Sequence, residues 1–195
     1  MKHLFIVFII LLTNLVALCQ TPLVGVQREQ VINDIESAAV ATNSMQRSFV
    51  QTRTSSLLTD QIVMKGRFCY TKPSDVIWEY VSPQQRIIKV TGKDVTITTE
   101  GNTTPVNPRI KKMVQGFSGM LMGNKAQMLD GRVFNIDIYE EKNTYRAVLK
   151  PKRRDLQKLF SQMELEFGKE TKQVEAITLI ERQGDEVKIE FEEMK

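Results

Sequence analysis

Apolar residues at Val24, Val31, Ile32, Ile35, Ala38 and Ala39, with charges between them, follow the spacing of one helix face, and Asn43-Ser44 ends the pattern. From Met45 the period changes to two. Phe49, Gln51 and Arg53 alternate with Ser48, Val50 and Thr52, and Ile62, Met64, Gly66, Phe68 and Tyr70 alternate with Val63, Lys65, Arg67 and Cys69. Residues 76–80, 86–90 and 95–98 continue the alternation, and Lys72-Pro73-Ser74, Ser82-Pro83 and Thr91-Gly92-Lys93 supply turns between these runs. The pairing is expected to break over 100–108, where Gly101-Asn102 and two prolines interrupt it. Ile110, Met113, Val114, Phe117 and Leu121 then predict a second amphipathic helix over 109–122, weakened at its end by Gly116 and Gly119. Strands are expected to resume at 133–139, 145–149, 163–167, 174–181 and 187–193, with a helical turn over 155–160. Helix, strands, helix, strands describes an α+β fold: an antiparallel sheet with helices on one face.

The amino terminus reads differently. Lys2 and His3 precede an apolar run over 4–12 that continues to Ala17-Leu18-Cys19, the form of a signal peptide. Thr13-Asn14 interrupts the run short of the ~20 residues a membrane span needs. Cleavage is expected between Cys19 and Gln20, leaving residues 20–195 as a single domain in the periplasm. The competing reading makes Cys19 the lipidated first residue of an anchored protein, but Leu18 stands where a lipobox carries Gly, Ala or Ser. Losing Lys2 takes the formal charge from +4 to +3, a balance that indicates no nucleic acid or other partner. Cys69 is then the one cysteine left, so no internal disulfide forms and stability comes from packing.

Composition also limits the chemistry. The only histidine is His3, so the mature chain has no imidazole for a nucleophilic triad or a metal site. Glu140-Glu141 falls in a turn, and Glu190, Glu192 and Glu193 mark the outer side of the last strand, where solvated carboxylates are expected. Gly116, Gly119 and Gly123 follow no strand and match no phosphate-binding pattern. No enzyme, cofactor or metal is expected.

A binding protein needs apolar surface and something to cover it. Phe49, Met64, Phe68, Trp78, Phe134, Ile136 and Ile138 form one candidate face, and Met113, Phe117, Met120, Leu121 and Met122 on the second helix form a candidate cover. Methionine is unbranched and soft, so it adapts to a flexible chain. Periodicity alone favours an ordinary core of sheet against helix for the same residues. The basic groups Lys150, Lys152, Arg153, Arg154 and Arg109, Lys111, Lys112 read as solvated faces.

Phe49-x-Gln51, Gly66-x-Phe68-x-Tyr70-x-Lys72-Pro73, Trp78-x-Tyr80-x-x-Pro83, Gly92-Lys93 and a later Leu149-Lys150-Pro151 occur in an order that resembles the LolA family of periplasmic lipoprotein carriers. The resemblance implies an open antiparallel half-barrel with amphipathic helices covering its concave face. It implies that Phe49, Met64, Phe68, Trp78, Met113, Phe117, Met120, Leu121, Phe134 and Ile136 line a cavity for lipoprotein acyl chains. It further implies a monomer that takes cargo from an inner-membrane lipoprotein-releasing transporter and hands it to an outer-membrane acceptor. Related half-barrels that bind or sense another lipid, or an anchored acceptor with acylated Cys19, are the alternatives.

Two departures from the family pattern carry physical expectations. Lys72 stands where the family usually has an arginine that bonds lid-helix carbonyls, and an ammonium lacks the planar fork, so a latch through Lys72 should hold less rigidly. The sequence ends at Glu192-Glu193-Met194-Lys195, where many members continue to another strand, so one sheet edge is expected to be open there.

Overall fold

The computed structural model describes residues 21–55, 57, 60–104, 106–108, 111, 114, 115, 131 and 133–193. The signal segment 1–19 lies outside them. A helix, α1 (Gly25–Ala41), precedes six strands: β1 (Ser44–Thr54), β2 (Ile62–Thr71), β3 (Asp75–Ser82), β4 (Arg86–Thr91), β5 (Asp94–Thr99) and β6 (Asn102–Thr104). Five more follow: β7 (Phe134–Glu140), β8 (Thr144–Pro151), β9 (Phe160–Gly168), β10 (Val174–Glu181) and β11 (Glu186–Glu193). No described helix is long and apolar enough to cross a membrane.

All the strands belong to one open 11-stranded sheet in the order β6-β5-β4-β3-β2-β1-β11-β10-β9-β8-β7, antiparallel throughout. It consists of two meanders of sequential hairpins, β1–β6 and β7–β11, joined where β1 pairs with β11. The open edge expected at the last strand is therefore misplaced. β11 lies between β1 and β10, and the edges are β6 and β7.

Three local readings also change. The chain does not stop pairing after residue 99, because Glu100 and Gly101 both take positive φ (49° and 81°) and make a two-residue turn that returns β6 onto β5. Asn-Gly-type composition favours such a turn as readily as it breaks a strand. Phe160 is the buried first residue of β9 and not the end of a helical turn, which is confined to Arg154–Gln157. Of the expected second helix over 109–122, Lys111, Val114 and Gln115 are helical, as is Pro108 just before it, and the remainder lies outside the described residues.

Helix α1 buries Val31, Ile32 and Ile35, the apolar positions its spacing predicts, in one cluster with the apolar side chains of the sheet. Val24, expected on the same face, is exposed. Just before α1 the chain is tied to β7, where the Leu23 amide donates to the Ile138 carbonyl at 2.6 Å, and after α1 it continues into β1.

Candidate functional site

Directly paired residues of antiparallel strands share a face, so the register shows what the sheet presents. One row runs Ile138, Ala147, Leu165, Ile177, Ile189, Gln51, Met64 across β7, β8, β9, β10, β11, β1 and β2. A second runs Phe191, Phe49, Gly66, Tyr80, and a third runs Glu193, Arg47, Phe68, Trp78, Ile88, Ile97. All three lie on one face, which is mainly apolar but also carries Arg47, Gln51 and Arg53 on β1, Arg86 on β4 and Glu193 on β11. The opposite face carries rows such as Arg146, Glu166, Ala176, Glu190, Val50, Lys65. Cys69 is on that opposite face, half-buried and unbridged.

Phe49, Phe68 and Trp78 come together as the aromatic periodicity predicts. Phe49 meets Trp78 edge-on with ring centroids 5.3 Å apart, and Phe68 lies 4.7 Å from Trp78. Tyr80 and Phe191 join them, with Tyr80 5.2 Å from Phe49 and Phe191 5.7 Å from Phe68 and 5.8 Å from Trp78. The last distance is informative because Trp78 and Phe191 sit three strand spacings apart, about 14 Å of backbone in a flat sheet. Rings converge in this way on the inner side of a curled sheet. This face is the concave one.

Gly66 makes the cluster possible. A Cβ built there would lie 2.5 Å from Cζ of Phe49 and 2.3 Å from the Glu79 carbonyl oxygen, so the Phe49 ring covers a backbone with no side chain. Phe49 is 1% exposed beneath its neighbours.

The other expected lining residues are dispersed. Met64 is half-buried on β2 beside Gln51. Phe134 is buried on the edge strand β7, stacked 6.4 Å from Phe160, and Ile136 is half-buried on the same strand. These two are separated from the aromatic cluster by β8 to β10 but belong to, or pack against, the same apolar cluster. Met113, Phe117, Met120 and Leu121 lie outside the described residues.

Lys72 reaches the end of α1. Its Nζ donates to the Val40 carbonyl and, at 3.2 Å, to Oδ1 of Asn43, while its amide donates to the Asn43 carbonyl at 2.9 Å. The last turn of α1 has no basic residue of its own, so Lys72 brings a cation from the sheet to the negative end of the helix.

Polar groups on the concave face are mostly satisfied. The Tyr80 hydroxyl donates to Oε1 of Gln51 at 2.9 Å, and burial pushes the Tyr80 phenol pKa up, against a lowering by Arg86. Arg53 donates to Asp185 at 3.1 Å and to Glu181 at 3.1 Å, and Ser55 donates to Asp185 at 2.8 Å. The Asp185 hydrogen bond is the main cause that raises the Arg53 pKa. Among the described residues no three His, Cys, Asp or Glu side chains come together as a metal site.

A family model described as outer membrane lipoprotein carrier protein LolA matches residues 41–195, β1 through β11. The chain belongs to the LolA family. Among solved structures, a LolA superfamily protein of Nitrosomonas europaea is 8% identical, with a TM-score of 0.44 over 86% of this chain and 92% of that one. The MucA/MucB complex of Pseudomonas aeruginosa contains a chain 12% identical, TM-score 0.48, matched over 86% of this chain and 56% of that one. The present chain thus spans little more than half of that relative. The Mycobacterium tuberculosis lipoprotein LppX is 10% identical, TM-score 0.45, over 84% and 94% of the two chains. No curated protein sequence matches the chain.

Within this LolA-family sheet, the face includes four residues beyond the expected lining, although Tyr80 and Gln51 fall in phase with it in the sequence motifs. Tyr80 continues the alternation from Trp78, and Phe191 alternates with Val187 and Ile189, so a periodic signal existed for both. Gln51 and Arg47 are in phase with Phe49, but polar side chains in a strand are ordinarily assigned to water. Their burial follows from the curl of the sheet, which no local pattern encodes.

Proposed function

We propose that this protein is a carrier that binds the acyl chains of lipoproteins on its concave face and delivers them to the outer membrane. It works in the periplasm once residues 1–19 are removed, takes cargo from an inner-membrane releasing transporter and gives it to an outer-membrane acceptor. It binds and does not catalyse. Family membership supports the reading, and one observation carries it: Phe49, Phe68, Trp78, Tyr80 and Phe191 gather from four strands onto the concave side of the sheet.

Each methylene moved from water to an apolar surface gains ~0.8 kcal/mol, so one chain of ~16 carbons gains on the order of 10 kcal/mol. Such cargo does not leave unaided; it must pass to a second apolar acceptor while the cover shifts between closed and open states. Helix α1, tied to the end of β2 through Lys72 and to β7 through Leu23, is the part of that cover among the described residues.

Met64 and Ile88 test the reading, because both are half-buried on this face and a carboxylate at either position can reach water. Met64→Glu and Ile88→Glu should abolish capture of a triacylated lipoprotein while the far-ultraviolet circular dichroism stays that of the wild type. Undiminished capture would mean that the face only packs a core. Mass spectrometry of lipid co-purified from the native periplasm should find lipoprotein acyl chains; a different lipid would make this a half-barrel of another specificity.

A further inference from the structure

Arg47 is the anomaly of the concave face. It is 9% exposed, in a row with Phe68, Trp78, Ile88 and Ile97. Its guanidinium makes one long hydrogen bond, donated to the Val174 carbonyl at 3.4 Å. Glu193, its neighbour across the strand pair, is exposed and forms no ion pair with it among the described residues. The contrast is Arg53, six positions along the same strand and facing the same way, which has both Glu181 and Asp185.

A buried charge without a counter-ion destabilises the protein that carries it, and a guanidinium does not escape by losing its proton. The same group in an apolar setting is a strong and directional receptor for an anion, because its fork matches the two oxygens of a carboxylate or phosphate and little water competes. Hydrocarbon bound along Phe68, Trp78 and Ile88 would begin beside it.

We infer that Arg47 receives the acidic head group, carboxylate or phosphate, of an amphiphile whose hydrocarbon lies on the neighbouring aromatic row. The inference rests on the acyl-binding reading of this face and departs from it in the cargo, because the ester- and amide-linked chains of a lipoprotein carry no acidic head group. A neutral ester or alcohol of the same chain length has the hydrocarbon but leaves the guanidinium unanswered.

Trp78, the single tryptophan of the chain, lies in the next strand but one and reports binding by its emission. Titrated with palmitate, hexadecyl phosphate and hexadecanol, the wild-type protein should bind the two anions about tenfold more tightly than the alcohol, the worth of one charge-assisted contact. Arg47→Met should remove that preference, and Arg47→Lys should keep part of it. Acetate and inorganic phosphate should neither shift the emission nor compete, which separates a lipid head group from a free anion. Without ligand, Arg47→Met should melt higher than the wild type, since it removes an unpaired charge. Equal affinity of the wild type for all three amphiphiles, or competition by inorganic phosphate alone, overturns the assignment of Arg47 and leaves acyl binding standing. A lower melting point for Arg47→Met with the preference intact makes Arg47 a brace for Val174. Failure of all three amphiphiles to bind overturns both readings.

Discussion

Replacing Gly66 with alanine adds one carbon at the place where the aromatic cluster touches the backbone. The new Cβ would meet three atoms inside any tolerable distance: Cζ and Cε1 of Phe49 at 2.5 Å and 2.7 Å and the Glu79 carbonyl oxygen at 2.3 Å. The carbonyl is backbone of the neighbouring strand β3, so lifting the ring relieves only part of the clash and the two strands must shift as well. Overpacking of this kind costs about 1–3 kcal/mol. Lifting the ring also disrupts its edge-on contacts with Trp78 and Tyr80, each worth roughly 0.5–1.5 kcal/mol beyond buried area. Alanine recovers about 0.5–1 kcal/mol through lower backbone entropy in the unfolded chain. The net expectation is a loss of about 3 kcal/mol, which for a domain of this size lowers the melting midpoint by roughly 6–12 °C. Thermal unfolding followed by both Trp78 emission and far-ultraviolet circular dichroism measures it. In a Phe49→Leu background the same change should cost at least about 1 kcal/mol less, because part of the clash is gone. A Gly66→Ala protein that melts within about 2 °C of the wild type would refute the claim that the ring rests on the glycine.

Two further predictions concern other parts of the molecule. Burial is the main cause that raises the Glu166 pKa, reinforced by Glu141, Glu164 and Glu190 and opposed by Lys188. The folded protein thus holds this proton to higher pH than the unfolded chain, and the stability it contributes is full below the ordinary carboxyl range, ~4.3, and lost as pH rises through the folded value. Glu166→Gln should therefore gain stability relative to the wild type between pH 3 and pH 7.5, read from urea midpoints; a constant difference would show that Glu166 titrates as it does in the unfolded chain. Lys72→Met should loosen the end of α1 by about 0.5–1 kcal/mol, seen as roughly two- to fivefold faster amide exchange at Thr42, whose amide donates to Ala38. Unchanged exchange there would remove Lys72 from any role in holding the helix.

Much of the left half of the sheet could be read directly, because a period of two that begins at Phe49 and persists through Tyr80 determines which side chains share a face. Turn residues such as Gly92 and Pro83 placed the strand ends. The pairing of β1 with β11 could not be read, since nothing local in either strand names a partner so far away in the chain. Hence the free edge was assigned to the wrong strand. The turn at Glu100-Gly101 was missed for the opposite reason: the same residues serve a hairpin and a break, and only the register of β6 against β5 distinguishes them. The split of the expected lining residues between the aromatic cluster and the β7 edge follows from topology, as does the partner of Lys72, which proved to be a carbonyl of α1. Arg47 was overlooked because charge in a strand reads as solvent exposure until curvature turns it inward.

The meeting of β1 and β11 makes the middle of this sheet its newest part. Ser48 and Glu192, which touch across that boundary, are 144 residues apart, whereas every other ladder joins neighbours in the chain. Each meander is assembled from short-range hairpins; the seam between them closes only when both are present, and a long loop must be ordered to do it. Until then two bare strand edges face outward, open to pairing with another chain. Afterwards side chains reinforce that line, with Phe191 against Phe68 and Trp78 and Arg53 against Glu181 and Asp185, so the last ladder to close is also held by ring contacts and ion pairs.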